Sequence, residues 1–300
     1  MSSENTSPLA TNAHHKAASQ RERAENIPTV LITGASKGVG AACAHQFAKA
    51  YPDGVNLALV ARGQAGLDAL AAELSLYPHC TVQLIRADIA DLAACQSIVT
   101  DTVNQFGAIN ILINNAGLHH RGDFRKRSAI EVAAMVDVNL RSPIVLSSLV
   151  LPHMPANKRN AIVMVGSLAG RAPLQGAATY SSTKSGLRAF AYALSDELRD
   201  QNINVAVVSP GPIDTSFIMA EIDEVEDIVY SQPMSTPEAV AEAVFRLANG
   251  TEIEIAMPWF SGKLTTFGYL FPRFRRASRQ LLYKIGRKNK QKYRNRANNQ

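Results

Sequence analysis

Tyr180-Ser-Ser-Thr-Lys184 opens a helical pattern, YSSTKSGLRAFAYALSDELRD, and places a phenol and an ammonium one helical turn apart. Residues at i and i+4 share a helix face, so both side chains can point into one cleft. A free tyrosine has a pKa near 10, too high for efficient proton transfer at neutral pH. A close cation favours the phenolate and lowers that value, and each unit corresponds to about 1.4 kcal/mol. Alone, such a pair matches many solvated helix faces. Ser167 stands thirteen residues earlier, just past an apolar run. Its hydroxyl can hydrogen-bond a carbonyl oxygen. Together the three can carry general acid–base chemistry at a carbonyl or an alcohol.

A second group sits near the start of the chain. Gly34-Ala-Ser36-Lys37-Gly38-Val39-Gly40 follows the apolar run TVLIT and precedes the helical pattern AACAHQFAKAY. Glycines after a strand permit a tight turn and let backbone approach a pyrophosphate, while the next helix offers its free N–H groups. An NAD site places an acid after the second strand, on the ribose 2′-hydroxyl. Here the second strand runs into Ala61-Arg62-Gly63, and the first acid beyond is Asp68, inside the next helical pattern. A guanidinium suits phosphate oxygens, so Arg62, with Lys37 beside it, reads a 2′-phosphate. The expected cofactor is NADP(H) rather than NAD(H).

The elements that must position these groups read as an alternation. TVLIT (29–33), VNLALV (55–60), TVQLIR (81–86), INILIN (109–114), AIVMVG (161–166), INVAVVS (203–209) and IEIA (253–256) are apolar almost throughout. That fits strands covered on both faces, with crossover helices between them. The predicted fold is α/β, a doubly wound Rossmann-like parallel sheet of about seven strands, in a single domain. Residues 1–26 read as a disordered extension, 27–256 as the catalytic domain, and 257–300 as a basic, aromatic-containing extension. Asn114-Asn115-Ala116-Gly117 follows the fourth strand, Asn139 lies on the helix after it, and Ser209-Pro-Gly-Pro-Ile-Asp-Thr215 follows the sixth.

These motifs, in this order, resemble the short-chain dehydrogenase/reductase family in its shorter single-domain branch. The matches are TGxxxGxG at Thr33–Gly40, NNAG at Asn114–Gly117, Asn139, Ser167, YxxxK at Tyr180–Lys184 and PGxxxT at Pro210–Thr215. The resemblance implies Tyr180 as general acid/base, with Lys184 lowering its pKa and binding the nicotinamide ribose. It implies that Ser167 polarises the carbonyl and Asn139 holds a relay water. Asp88 would lie by the adenine, Asn115 by the adenosine ribose, and Ile213 and Thr215 by the nicotinamide amide. Ile89, Ala116, Gly117, Pro210 and Gly211 complete the implied cofactor set. The implied reaction is hydride transfer between NADPH and a ketone or aldehyde, with a lipid-like or 3-oxoacyl compound as one substrate class. Homodimers or homotetramers are implied as well. The competing reading is a redox-inactive binding or regulatory protein on the same fold, against which the intact Ser167, Tyr180 and Lys184 argue.

Composition sets further bounds. Of 300 residues, 46% are hydrophobic, ample for one large core. The formal charge of +6 conceals an asymmetry: from Met257 onward there are 12 Lys/Arg and no acid, so the rest of the chain carries 19 basic residues against 25 acidic. Three scattered cysteines, Cys43, Cys80 and Cys95, suggest a reducing compartment and no zinc site, hence a cytoplasmic expectation. Residues 1–25 lack the apolar run of a secretory signal, and no 18 consecutive apolar residues occur. His119-His120 reads as a polar loop at the cleft mouth rather than a metal site. Arg121 and Arg125–Arg127 read as solvated surface, and the five acids of Glu221–Asp227 as the outer face of a mobile lid. The tail mixes Trp259, Phe260, Phe267, Tyr269, Leu270 and Phe271 with arginines and lysines. Contact with an anionic membrane and plain packing on the core compete there. Nucleic acid is disfavoured, because it needs no such aromatic cluster.

Overall fold

The structure, a computed structural model, describes residues 27–215 and 225–297. Seven parallel strands form one sheet in the order β3-β2-β1-β4-β5-β6-β7. They are β1 (Thr29–Thr33), β2 (Val55–Ala61), β3 (Cys80–Arg86), β4 (Ile111–Asn114), β5 (Asn160–Val165), β6 (Ile203–Pro210) and β7 (Glu254–Met257). Both neighbours of β1 pair in register with it: Ile32 lies beside Leu59 of β2 and Ile113 of β4. Order reverses between β1 and β4, and the crevice beyond the strand ends there is where open α/β sheets bind ligands.

The period of two along a strand divides the core into two layers. Val30 and Ile32 face α1 (Gly38–Ala50), α2 (Gln64–Leu74) and α7 (Pro237–Asn249), where Phe47, Leu67 and Val244 are fully buried. Leu31 faces the opposite layer, built from α3 (Leu92–Phe106), α5 (Ser142–Val150) and α6 (Ala178–Glu197), with Ile98, Leu146 and Leu187 buried. Helix α4 (Ala129–Val136) runs into α5 through a π turn, Asp137–Arg141. The run Ala129–His153 meets the length and hydropathy of a membrane span, with a mean hydropathy of 1.4. In the fold its Leu146 and Val150 belong to the core.

Two more helices follow β7: α8 (Trp259–Leu270) and α9 (Pro272–Ala297). Neither floats free. On α8, Thr266 accepts a hydrogen bond from Arg171, in the loop after Ser167. Helix α9 seats on the turn Asp227–Ser231, where the Asp227 carbonyl and the Ser231 amide crowd Gly286. Of the acidic stretch expected as the outer face of a lid, Glu221, Asp223 and Glu224 lie outside the described residues, as do residues 1–26. Glu226 and Asp227 do not face solvent as expected. They meet Tyr283, Arg287 and Lys290 of α9.

Candidate active site

Tyr180 and Lys184 occupy the first turns of α6. Lys184 is only 4% exposed, and its Nζ donates to the Val165 carbonyl at 2.8 Å, at the end of β5. That burial pushes the ammonium down to about 8. The same Nζ stands 5.7 Å from the centre of the Tyr180 ring. Burial also acts on Tyr180 and raises its pKa, opposed by a hydrogen bond with Ser167 and by the Arg121 charge. The net direction is therefore upward, where sequence reasoning expected Lys184 to bring it down. The physical reason is that Lys184 is itself desolvated and bonded to a carbonyl, while desolvation of the phenol outweighs the groups that oppose it. Ser167 caps the turn Leu168–Gly170, its Oγ accepting from the Ala169 N–H at 3.1 Å.

Asn139 lies on the π turn, fully buried. Its Oδ1 accepts from the Leu118 N–H at 2.7 Å and its Nδ2 donates to the Leu118 carbonyl at 2.7 Å. The extra residue of a π turn rotates a side chain out of the regular helix ladder, a device frequent at functional sites. Here it clamps the irregular segment that follows Asn114–Gly117, where Leu118 lines the cleft.

The glycine loop has the backbone its sequence requires. Gly34 adopts φ +65°, and a Cβ there would come within 2.8 Å of the Ala116 Cα. Gly40 faces inward, where a side chain would strike the Gly34 carbonyl. Thr33 Oγ1 accepts the N–H groups of both Asn115 and Ala116 at 3.1 Å, and Asn115 Nδ2 donates to the Thr33 carbonyl at 2.9 Å. The Asn115 amide is thus committed to holding the loop. Lys37 is the N-cap of α1, in extended backbone with no side-chain acceptor, so the helix N–H groups stay open to an anion. Lys37 and Arg62 are both exposed, and neither makes an ion pair among the described residues. Asp68 lies further on, inside α2, bonded to Gln64.

One cleft of about 300 Å³ gathers these groups. Its wall includes Gly34, Ser36, Lys37, Gly38, Val39, Arg62, Asp88, Ile89, Asn115, Ala116 and Gly117. The same wall includes Ser167, Tyr180, Lys184, Pro210, Gly211, Ile213 and Thr215. Gly40 and Asn139 stand behind the wall, as packing and clamp. Val60, Ala87, Leu118, Val138, Val165 and Gly166 complete it and were not among the sequence candidates. They carry no reactive group; most sit next to a strand end, which was the one available signal. The pairing of two exposed cations with an open helix N-terminus fits the phosphates of a dinucleotide bearing an extra 2′-phosphate.

His119 departs from its expected place in a polar loop. It is 8% exposed and stacks on the Tyr180 ring, centroids 4.1 Å apart and planes 12° from parallel. Burial, with the Arg121 charge next, pushes it down to about 3, so the ring is neutral at physiological pH. Its Nε2 is buried without a hydrogen-bond partner. The run after it is paired locally, Arg125 with Asp123 and Arg127 with Glu131. Among the described residues no cluster of His, Cys, Asp or Glu could hold a metal ion.

The profile of the short chain dehydrogenase family matches residues 28–226. An NADP-dependent 3-hydroxy acid dehydrogenase of Schizosaccharomyces pombe is 34% identical over 76% of this chain and 90% of its own. A dehydrogenase/reductase SDR family member 7B of Xenopus tropicalis is 32% identical over 72% of each chain. The crystal structure of a short chain dehydrogenase from Burkholderia cenocepacia in complex with NADP superposes with a TM-score of 0.68. It is 28% identical and covers 76% of this chain and 95% of that one. The chain belongs to the short chain dehydrogenase family, an oxidoreductase family.

Proposed function

We propose that this protein is an NADP(H)-dependent oxidoreductase interconverting a ketone or aldehyde and the corresponding alcohol. The observation that carries the reading is one cleft lined both by Ser167, Tyr180 and Lys184 and by Lys37 and Arg62. The NADP complexes among related structures support the cofactor. Bound NADPH supplies a hydride to the carbonyl carbon. Tyr180 gives its hydroxyl proton to the carbonyl oxygen, which Ser167 holds by a hydrogen bond. Lys184, anchored on Val165, stabilises the phenolate left behind and binds the ribose. Asn139 holds the Leu118 backbone in place beside this centre and supports a water that returns the proton.

The name of the Schizosaccharomyces pombe relative supports a substrate with oxygen at the 3-position of an acid or acyl chain. A lipid-like 3-oxoacyl or long-chain carbonyl compound is therefore the first substrate class to test. A reducing compartment is supported by the free cysteines, Cys43 held up to about 12 by burial. A homodimer or homotetramer is the proposed assembly. NADPH oxidation across a panel of 3-oxoacyl esters, long-chain ketones and aldehydes tests the reading. Turnover lost by a factor of about 10³ in Tyr180→Phe, with NADPH binding retained, is the expected result. Near-normal turnover in that variant would sink the mechanism, and no turnover in the parent would favour a redox-inactive binding protein.

A further inference from the structure

Exposed apolar surface in this molecule gathers after β7. Nine of the fourteen large apolar side chains exposed among the described residues lie at 259–285, on or between α8 and α9. On α8, Trp259, Phe260, Phe267 and Leu270 share one face, away from the buried Ser261, Gly262 and Gly268 that seat the helix. On α9, Phe274, Leu281 and Ile285 recur at spacings of seven and four, which makes one stripe along the helix. Tyr283, Gly286 and Lys290 point elsewhere, into the Asp227 segment. The Phe267 and Phe274 rings meet edge-on at 5.1 Å and join the two stripes.

Cations border this surface. Lys263 holds its Nζ 4.9 Å over the Trp259 ring. Lys284 and Lys288 are exposed and follow Leu281 and Ile285 by three residues each, flanking the stripe. Residues 257–300 contain 12 Lys/Arg and no acid. Aromatic and apolar side chains ringed by lysines match the boundary between acyl chains and anionic headgroups.

We propose that the outer face of α8 and α9 docks on an anionic lipid bilayer, with both helices lying in the interface. Spanning is excluded by size and charge. Twelve residues of α8 reach only about 18 Å, against about 30 Å of hydrocarbon, and α9 carries cations on almost every turn. A symmetric second copy on this face would set two acid-free basic segments against each other. Nucleic acid would answer the charge but leave Trp259, Phe260 and Leu270 in water.

The test is co-sedimentation of the full chain with phosphatidylcholine vesicles, with and without phosphatidylserine, at low and high salt. The expected result is binding that requires phosphatidylserine and weakens with salt. Lys284→Gln and Lys288→Gln should each lower the partition coefficient about fivefold. Trp259→Ser with Phe260→Ser should lower it by more than tenfold at unchanged charge. Carbonyl reduction should survive in all of these, since none of them lines the cleft, and it reports that each variant is folded. Equal partition of parent and lysine variants overturns the proposal, as does binding that ignores phosphatidylserine. Apolar variants that change the hydrodynamic mass but not vesicle binding would assign the face to a second copy and overturn it too.

Discussion

At the scale of single residues, the direction of the Tyr180 shift decides how the reaction depends on pH. Burial raises this phenol, so it stays protonated through neutral pH. Carbonyl reduction, which needs the proton, should be flat across neutral pH and fall only in base. Alcohol oxidation needs the phenolate and should climb with pH throughout that range. Initial rates in both directions check this, and an oxidation rate that falls with rising pH would remove Tyr180 as the base. Cofactor choice is also a residue-scale matter. Lys37 and Arg62 make no ion pair among the described residues, so a 2′-phosphate would find both available. Arg62→Asp should weaken NADPH by about ten- to a hundredfold and leave NADH within a few-fold, a charge-assisted bond being worth about 1.5–3 kcal/mol. Titration by cofactor fluorescence reads both constants. Ordered motifs and the family resemblance they carry, rather than spacing alone, made Tyr180, Lys184, Ser167 and the glycine loop the sequence candidates. They carried no information on desolvation, so the Tyr180 shift and the stacked, neutral His119 emerged only with the packing.

At the scale of elements, α9 acts as a brace. Lys290 Nζ donates to the Val225 carbonyl at 2.6 Å and stands 3.3 Å from Asp227. Asn289 donates to the Tyr230 carbonyl at 3.0 Å, and the Tyr283 hydroxyl to Glu226 at 3.0 Å. These contacts tie the backbone of 225–231 to a helix about 60 residues later in the chain. Lys290→Ala leaves the Val225 carbonyl without its ammonium, a loss of about 1–3 kcal/mol. Amide exchange in 225–231 should then quicken by about tenfold or more, while β1 and β4 keep their protection. Unchanged exchange in 225–231 would mean that α9 merely rests there. A local reading of the sequence assigned the acids of this segment to solvent, because their partners are distant in the chain. The strands were legible for the opposite reason: β1, β2, β5 and β6 are covered on both faces, and continuous apolar runs record that directly.

At the scale of the whole molecule, Glu254 joins several layers. From β7 it accepts hydrogen bonds from Arg188 and Tyr192 of α6 and from Ser209 of β6, and pairs with Arg171 at 2.6 Å. Burial alone would raise its carboxyl, but the bonds from Arg188, Ser209, Tyr192 and Arg171 win and hold it at about 2. A folded value below the unfolded one gives stability that is full above about pH 4.5 and lost as pH falls toward 2. The shift corresponds to about 3 kcal/mol. Urea unfolding should therefore show an acid-sensitive term of that order in the parent, and Glu254→Gln should lack it. An equal acid loss in both would place the sensitivity elsewhere. The sequence offered no hint of this hub, because an acid near the start of a short apolar run, with Glu252 two residues before it, resembles any strand-end residue.

Arg171 links that hub to α8 through Thr266, just past the Ser167 turn, and α9 holds the 225–231 segment through Val225 and Asp227. Both holds belong to segments that follow every proposed catalytic residue in chain order. A ribosome therefore completes Ser167, Tyr180, Lys184 and the whole sheet before it makes the helices that steady them. Nascent chains fold from the N-terminus onward. An arrested chain ending at β7 would then carry the proposed catalytic set without these holds, with the proposed docking surface and the brace arriving later on the last two helices.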